Sequence, residues 1–185
     1  LNNAADAVVV TNAPTGCSGF MVTEERFVAC FGAGGIGRKV QWSDQENNTV
    51  WTAAATNQAG DIELQTNGVI LAGIRTRGQS LILTTEDAHT MTYQGPPFVY
   101  GFERVGTSCG LVGPKAVASI DAGVFWMGRR SFFTYSGGGV QDLPCEVADY
   151  IFSDMNQDQR SKISASVNSE WNEIWWFYPS ANSLE

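Results

Sequence analysis

Histidine is almost missing from this chain: His89 is the only one in 185 residues. The four cysteines, Cys17, Cys30, Cys109 and Cys145, stand far apart, and none belongs to a Cys-x-x-Cys pair. A structural zinc site draws its ligands from closely spaced Cys and His, so no metal is expected. The four are expected to be free, buried thiols, the usual state of an unpaired cysteine. Basic residues are scarce as well, 11 against 19 acidic ones, and the net charge is −8. A chain that grips nucleic acid needs a basic footprint for the phosphates. Specific nucleic-acid binding is therefore not expected, although DNA sliding past a repelling acidic wall is compatible with this charge. No apolar run approaches the ~20 residues that cross a bilayer as a helix, so no membrane span is expected. No nucleophile elbow, metal pattern or cofactor pattern occurs, so no cofactor and no catalysis are expected. The chain opens on Leu1-Asn2-Asn3, with neither Met nor a signal peptide, and stops at Ser183-Leu184-Glu185 just past a strand pattern. The expectation is a piece of a longer protein.

Glycine and aromatics are what the chain has. There are 20 glycines, and aromatic residues make up 11%. The clearest pattern is Ala118 to Ser136. Val124-Phe125-Trp126-Met127 and Ser131-Phe132-Phe133-Thr134-Tyr135 flank Gly128-Arg129-Arg130, and Lys115 to Ile120 precedes them. Aromatic and β-branched runs between Gly and Asp turns mark successive antiparallel strands. The same order recurs upstream as Ile70 to Ile74, Leu81 to Thr84 and Thr90 to Tyr93, with Phe98 to Val105 as a fourth strand. The two copies are offset by 42 to 46 residues, within the ~40–50 of propeller repeats. A first unit fits Phe27 to Phe31, Val40 to Ser43 and Val50 to Thr52. A last one fits Ile163 to Val167 and Glu173 to Tyr178. Ala7 to Thr11 is a further strand candidate. The expectation is an all-β chain of β-propeller-like antiparallel meander blades. Residues 1–185 would form one such domain, or part of one, with three units and part of a fourth. One stretch differs: Val147, Ile151 and Met155, with Tyr150 beside them, follow helical spacing after Pro144. This predicts a short helix over 145–157, about three turns long.

Candidate chemistry is thin. Gly32 to Gly37 is glycine-rich, but no Lys-Ser or Lys-Thr pair closes it, so it reads as a hairpin turn. His89 lies in a Thr-rich strand pattern. The choice there is a general base or a half-exposed strand histidine, and the second is expected. The turn acids, Glu86 and Asp87 among them, are expected to be solvated, not paired across a glycosidase site. Ser43-Asp44 followed by Trp51 has a faint similarity to the Asp-box of sialidase-type propellers. The glycine of that box is missing and the spacing is wrong, so a polar turn with Trp51 packed beneath is expected. The tryptophans are read as core, with sugar platforms as the alternative.

Several short motifs together resemble tail proteins of short-tailed bacteriophages, of the nozzle or tail-hub type. They are Val40-Gln41-Trp42-Ser43-Asp44, Trp51-Thr52 with Ala55 to Asp61, Gly95 to Phe102, Val124 to Gly128 and Asn172 to Pro179. The resemblance spans roughly Val40 to Ser180. It implies a β-propeller that assembles as a homo-oligomeric ring in the virion tail, below the portal and adaptor, with a central channel for DNA exit. The implied partners are other tail proteins such as the adaptor and tail fibres. Arg129 and Arg130 at a hairpin tip, and Tyr150 and Met155 on the helix, are the candidate subunit contacts. The rival expectation is a receptor- or carbohydrate-binding propeller, which would expose Trp51 and Trp171 in one cleft.

Overall fold

The structure, a computed structural model, describes residues 8–183. They form an all-β chain of antiparallel sheets with one short α-helix. Sheet I holds β1 (Gly19–Val22), β2 (Val28–Phe31), β3 (Lys39–Trp42) and β4 (Gly60–Glu63) in that order. Sheet II holds β5 (Ile70–Thr76), β6 (Gln79–Thr84), β7 (Asp87–Gly95) and β8 (Val99–Thr107). Sheet III holds β9 (Val117–Ile120), β10 (Gly123–Met127), β11 (Phe132–Tyr135) and β12 (Val140–Leu143). Sheet IV pairs β13 (Ser164–Asn168) with β14 (Glu173–Phe177). Each four-stranded sheet is a plain meander, its strands neighbouring one another in chain order. The helix α1 (Ala148–Asp154) lies between sheets III and IV in the chain.

The sheets pack face to face in chain order. Successive side chains on a strand point to opposite faces, and β6 uses both. Leu81 and Leu83 join the cluster that holds Val124 and Trp126 of sheet III. Ile82, between them, joins the cluster that holds Phe31, Val40 and Trp42 of sheet I. All three are fully buried. This is why Leu81-Ile82-Leu83 reads as an unbroken apolar run instead of an alternation. Sheet III is sandwiched in the same way. Trp126 stacks near Phe133 and donates its indole N–H to Cys109 O at 2.8 Å, in the loop that leads from sheet II. Phe132, on the opposite face, meets Phe152 of α1 at 5.4 Å and Trp176 of β14 at 5.1 Å between ring centroids. Between sheets I and II the packing is aromatic, with Trp42 edge-on to Tyr100 and Phe27 edge-on to the same ring. First strands of neighbouring sheets also approach one another. A parallel bridge joins Lys115, just before β9, to Ser164 of β13.

Several expectations are corrected. The third strand matched to Val50 to Thr52 is β4 instead. The 44–59 loop ties itself together: Trp51 donates to Asn48 O, Asp44 Oδ1 accepts from the Gln58 N–H, and Gln41 donates to Trp51 O. Those bonds leave Trp51 buried but off the ladder, as the polar-turn reading of Ser43-Asp44 expected. β1 and β12 were not foreseen, because neither carries a clean alternation. Val8 to Val10 form no strand and are exposed, and Ala7 lies outside the described residues. The helix is about two turns, not three. Met155 and Asn156 are extended, and the Asn156 side chain accepts from the Asp158 N–H, starting a separate 3-10 segment (Gln157–Lys162). Asp87 is not a turn residue but the first of β7.

Gly73 of β5 faces sheet I so closely that an added Cβ would run into the Phe31 ring and the Met21 sulfur. Gly73→Ala is expected to cost about 1–3 kcal/mol by overpacking, read as a lower denaturation midpoint with an unchanged m-value.

Candidate functional site

The candidate contact residues fall into two groups. Arg129 and Arg130 occupy the turn between β10 and β11, closed by Gly128 N–H donating to Ser131 O at 2.9 Å. Both are exposed, and neither forms an ion pair among the described residues. Tyr150 projects from α1 and is exposed. The Phe132–Phe152 contact packs α1 against β11, the strand that follows this turn. Met155 does not join them. It is 4% exposed and packs within the chain's own core, so its side chain is not a contact for a neighbour. The reason is the early end of α1, which turns position 155 inward.

Larger uncovered surfaces lie at the two ends of the stack. On sheet IV, Trp176 faces inward and donates to Ala116 O at 3.1 Å. Trp175 and Phe177 point the other way, 51% and 53% exposed, with ring centroids 6.5 Å apart. Only β13 pairs with β14, so one edge of β14 is open among the described residues. At the far end, Phe20 of sheet I is 74% exposed, and Val22 is exposed beside it. The sequence pattern reads Trp175 as core, like the other strand tryptophans, and marks no strand at Phe20 and Val22.

His89 is buried, which corrects the half-exposed reading. Its register partners, Ile82 and Arg104, place it on the face of sheet II that packs on sheet I. Its Nε2 lies 3.1 Å from Asp87 Oδ1 without an aligned hydrogen bond. Asp87 is buried too, against the expectation of a solvated turn acid. Its Oδ1 accepts from Thr84 Oγ1 at 2.6 Å and Thr66 Oγ1 at 2.9 Å. Thr84 Oγ1 in turn accepts the N–H groups of Glu86 and Asp87. The network ties the β4–β5 connection to the β6–β7 turn. It borders a cleft of about 550 Å³ that Arg38 and Arg104 also line. The visible signal was Thr84-Thr85-Glu86-Asp87, in which a short polar side chain competes for turn N–H groups.

All four cysteines are free, but they are not alike. Cys30 and Cys109 are buried, Cys145 is half-buried and Cys17 is exposed, which corrects the uniform expectation. Burial pushes the Cys30 thiol up to about 12, with Cys17 adding to the shift. Burial, then the Asp87 charge, pushes Cys109 up to about 11. Among the described residues no three His, Cys, Asp or Glu side chains form a metal-holding group, and no helix is long and apolar enough to cross a membrane. Trp51 is buried and Trp171 is 69% exposed, so the two do not share a cleft. Compared with known proteins, the chain matches no protein-family model and no curated protein.

Replacing Asp87 by Ala strands two buried hydroxyls and should cost about 2–4 kcal/mol, measured by urea unfolding, whereas Glu86→Ala should be near neutral. The thiols give a second test. Cys17 should react with a disulfide-exchange reagent at once, and Cys30 and Cys109 only on unfolding. Unfolded thiols ionise near their ordinary value of 9, while the folded ones stay protonated to about 12 and 11. The unfolded state therefore releases protons first, so stability falls as pH rises above that ordinary value.

Proposed function

We propose that this chain is a non-catalytic structural component of a short-tailed phage virion. In this reading it belongs to the tail nozzle or hub, where its sheets act as β-propeller blades and build a ring around a DNA exit channel. The observation that carries the reading is the stack of meander sheets with uncovered apolar faces at both ends. β14 runs Ile174-Trp175-Trp176-Phe177, the same unbroken apolar pattern that β6 and β10 use where both faces are buried. Exposed contiguous apolar surface of this kind marks an association site. A head-to-tail arrangement would set the Trp175 and Phe177 face of one copy against the Phe20 and Val22 face of the next. That contact joins unlike surfaces, and such head-to-tail contacts generate rings when the rotation closes.

The other supports are the motif resemblance and the charge. A net charge of −8 suits a wall from which DNA slips instead of sticking. Adaptor and tail-fibre partners belong to the same proposal. Arg129, Arg130 and Tyr150 are the outward side chains offered to them. A receptor- or carbohydrate-binding module built on Trp51 and Trp171 is less well supported, because Trp51 is buried and offers no exposed platform.

Electron microscopy of the full-length protein, alone and in virions, tests this directly. A ring at the tail tip with a central channel is the expected result. A monomer with no place in the virion would overturn the reading. The double variant Trp175→Ser, Phe177→Ser should weaken assembly by roughly tenfold or more, as read by light scattering across a dilution series. Each protomer should remain folded.

A further inference from the structure

A cavity of about 600 Å³ opens where hairpins of sheets I, II and III meet, at the edge of the stack opposite Arg129 and Arg130. Three hairpins build it. Arg75 and Arg77 come from the β5–β6 hairpin, Asp121 from the β9–β10 turn, and Glu24 from the β1–β2 turn. Gln79 and Tyr135 complete the lining. The chain has few cations, and most of the others pair or stand alone on outer turns. Here two arginines line one cavity, and among the described residues neither forms an ion pair.

The polar groups beneath them are fixed. Gln79 Nε2 donates to the Tyr135 hydroxyl oxygen at 2.7 Å, and Gln79 Oε1 accepts from Thr92 Oγ1 at 3.3 Å. Tyr135 is 4% exposed. Its oxygen is used as an acceptor, so its own O–H hydrogen is left to donate. Val124, its register partner, is buried beside it, which holds the ring in place.

We infer that this cavity binds an acidic sugar residue: a carboxylate held by Arg75 and Arg77, with ring hydroxyls on Tyr135, Glu24 and Asp121. Guanidinium groups match a carboxylate in planar, forked geometry. Glu24 and Asp121 are acceptors for hydroxyl hydrogens, and they disfavour a second negative charge. Phosphate dianions, nucleic acid and acidic peptides are thereby selected against, and a monoanionic polyol is selected for. The volume falls within the ~300–1,000 Å³ of small-molecule sites. None of the residues assigned to assembly lines the cavity, so the proposal holds or fails independently of the tail-protein reading.

The test is a titration of the whole chain followed by amide chemical shifts, using glucuronate, N-acetylneuraminate, glucose and inorganic phosphate in turn. Saturable shifts at residues 75–79 and 119–123 with either acidic sugar, and none with glucose or phosphate, are expected. Tyr135→Phe should weaken that binding about fivefold and Arg75→Gln with Arg77→Gln at least tenfold. The arginine variant changes exposed side chains only, and its unperturbed amide spectrum elsewhere establishes that it folds. Equal response to glucose, preference for phosphate, no saturation with either acidic sugar, or undiminished binding by the arginine variant would each overturn the proposal.

Discussion

The two-sided burial of sheet II is the constraint on which the rest of the structure depends. Leu81 and Leu83 commit one face to sheet III, and Ile82 commits the other to sheet I. Each such side chain contributes about 2 kcal/mol of burial, so three consecutive residues of one strand couple three sheets. A one-residue slip of β6 against β5 and β7 would exchange Ile82 with the two leucines and turn both apolar sets to the wrong faces. The order of sheets in space therefore follows the order in the chain. The short connections between them are tied in the same direction, by Asp87 and the two threonines on one side and by Trp126 and the Cys109 carbonyl on the other.

The same constraint explains where surface is left over. A stack has two ends, and a sheet built to be covered on both faces is uncovered at an end. Phe20 and Val22 mark one end, and Trp175 and Phe177 the other. Assembly through these faces would extend within an oligomer the packing that already operates inside the chain. Hairpin tips and turn loops, in contrast, project along the stack's edges and carry charged groups such as Arg77, Asp121, Arg129 and Arg130. The cavity lined by Arg75 and Arg77 and the Arg129–Arg130 turn lie at opposite edges, so contact with partners and binding of a small ligand need not compete.

Burial also separates groups that look alike in the sequence. Cys17 and Cys30 are both lone cysteines, yet one is exposed and the other lies in a sheet. Glu86 and Asp87 are adjacent acids, yet Asp87 alone accepts two buried hydroxyls. The difference is strand phase. A residue at the first position of β7 is carried inward by the pleat, and its neighbour in the turn is not.

The all-β class, the meander order and the repeat of sheets II and III were legible from local pattern, because Leu81 to Leu83 and Val124 to Met127 need no partner to declare themselves strands. The same holds for the turns at Gly78 and Arg129-Arg130, where backbone freedom and polarity are local properties. β4, β1 and β12 were not legible, since Gly60 to Glu63 becomes a strand only by pairing with β3, and Val140 to Leu143 only by pairing with β11. The end of the helix at Asp154, the burial of Met155, His89 and Asp87, and the meeting of Arg75, Arg77 and Tyr135 in one cavity were decided by the tertiary structure. They depend on contacts between residues far apart in the chain, and strand phase and sheet stacking set those contacts where composition and spacing do not.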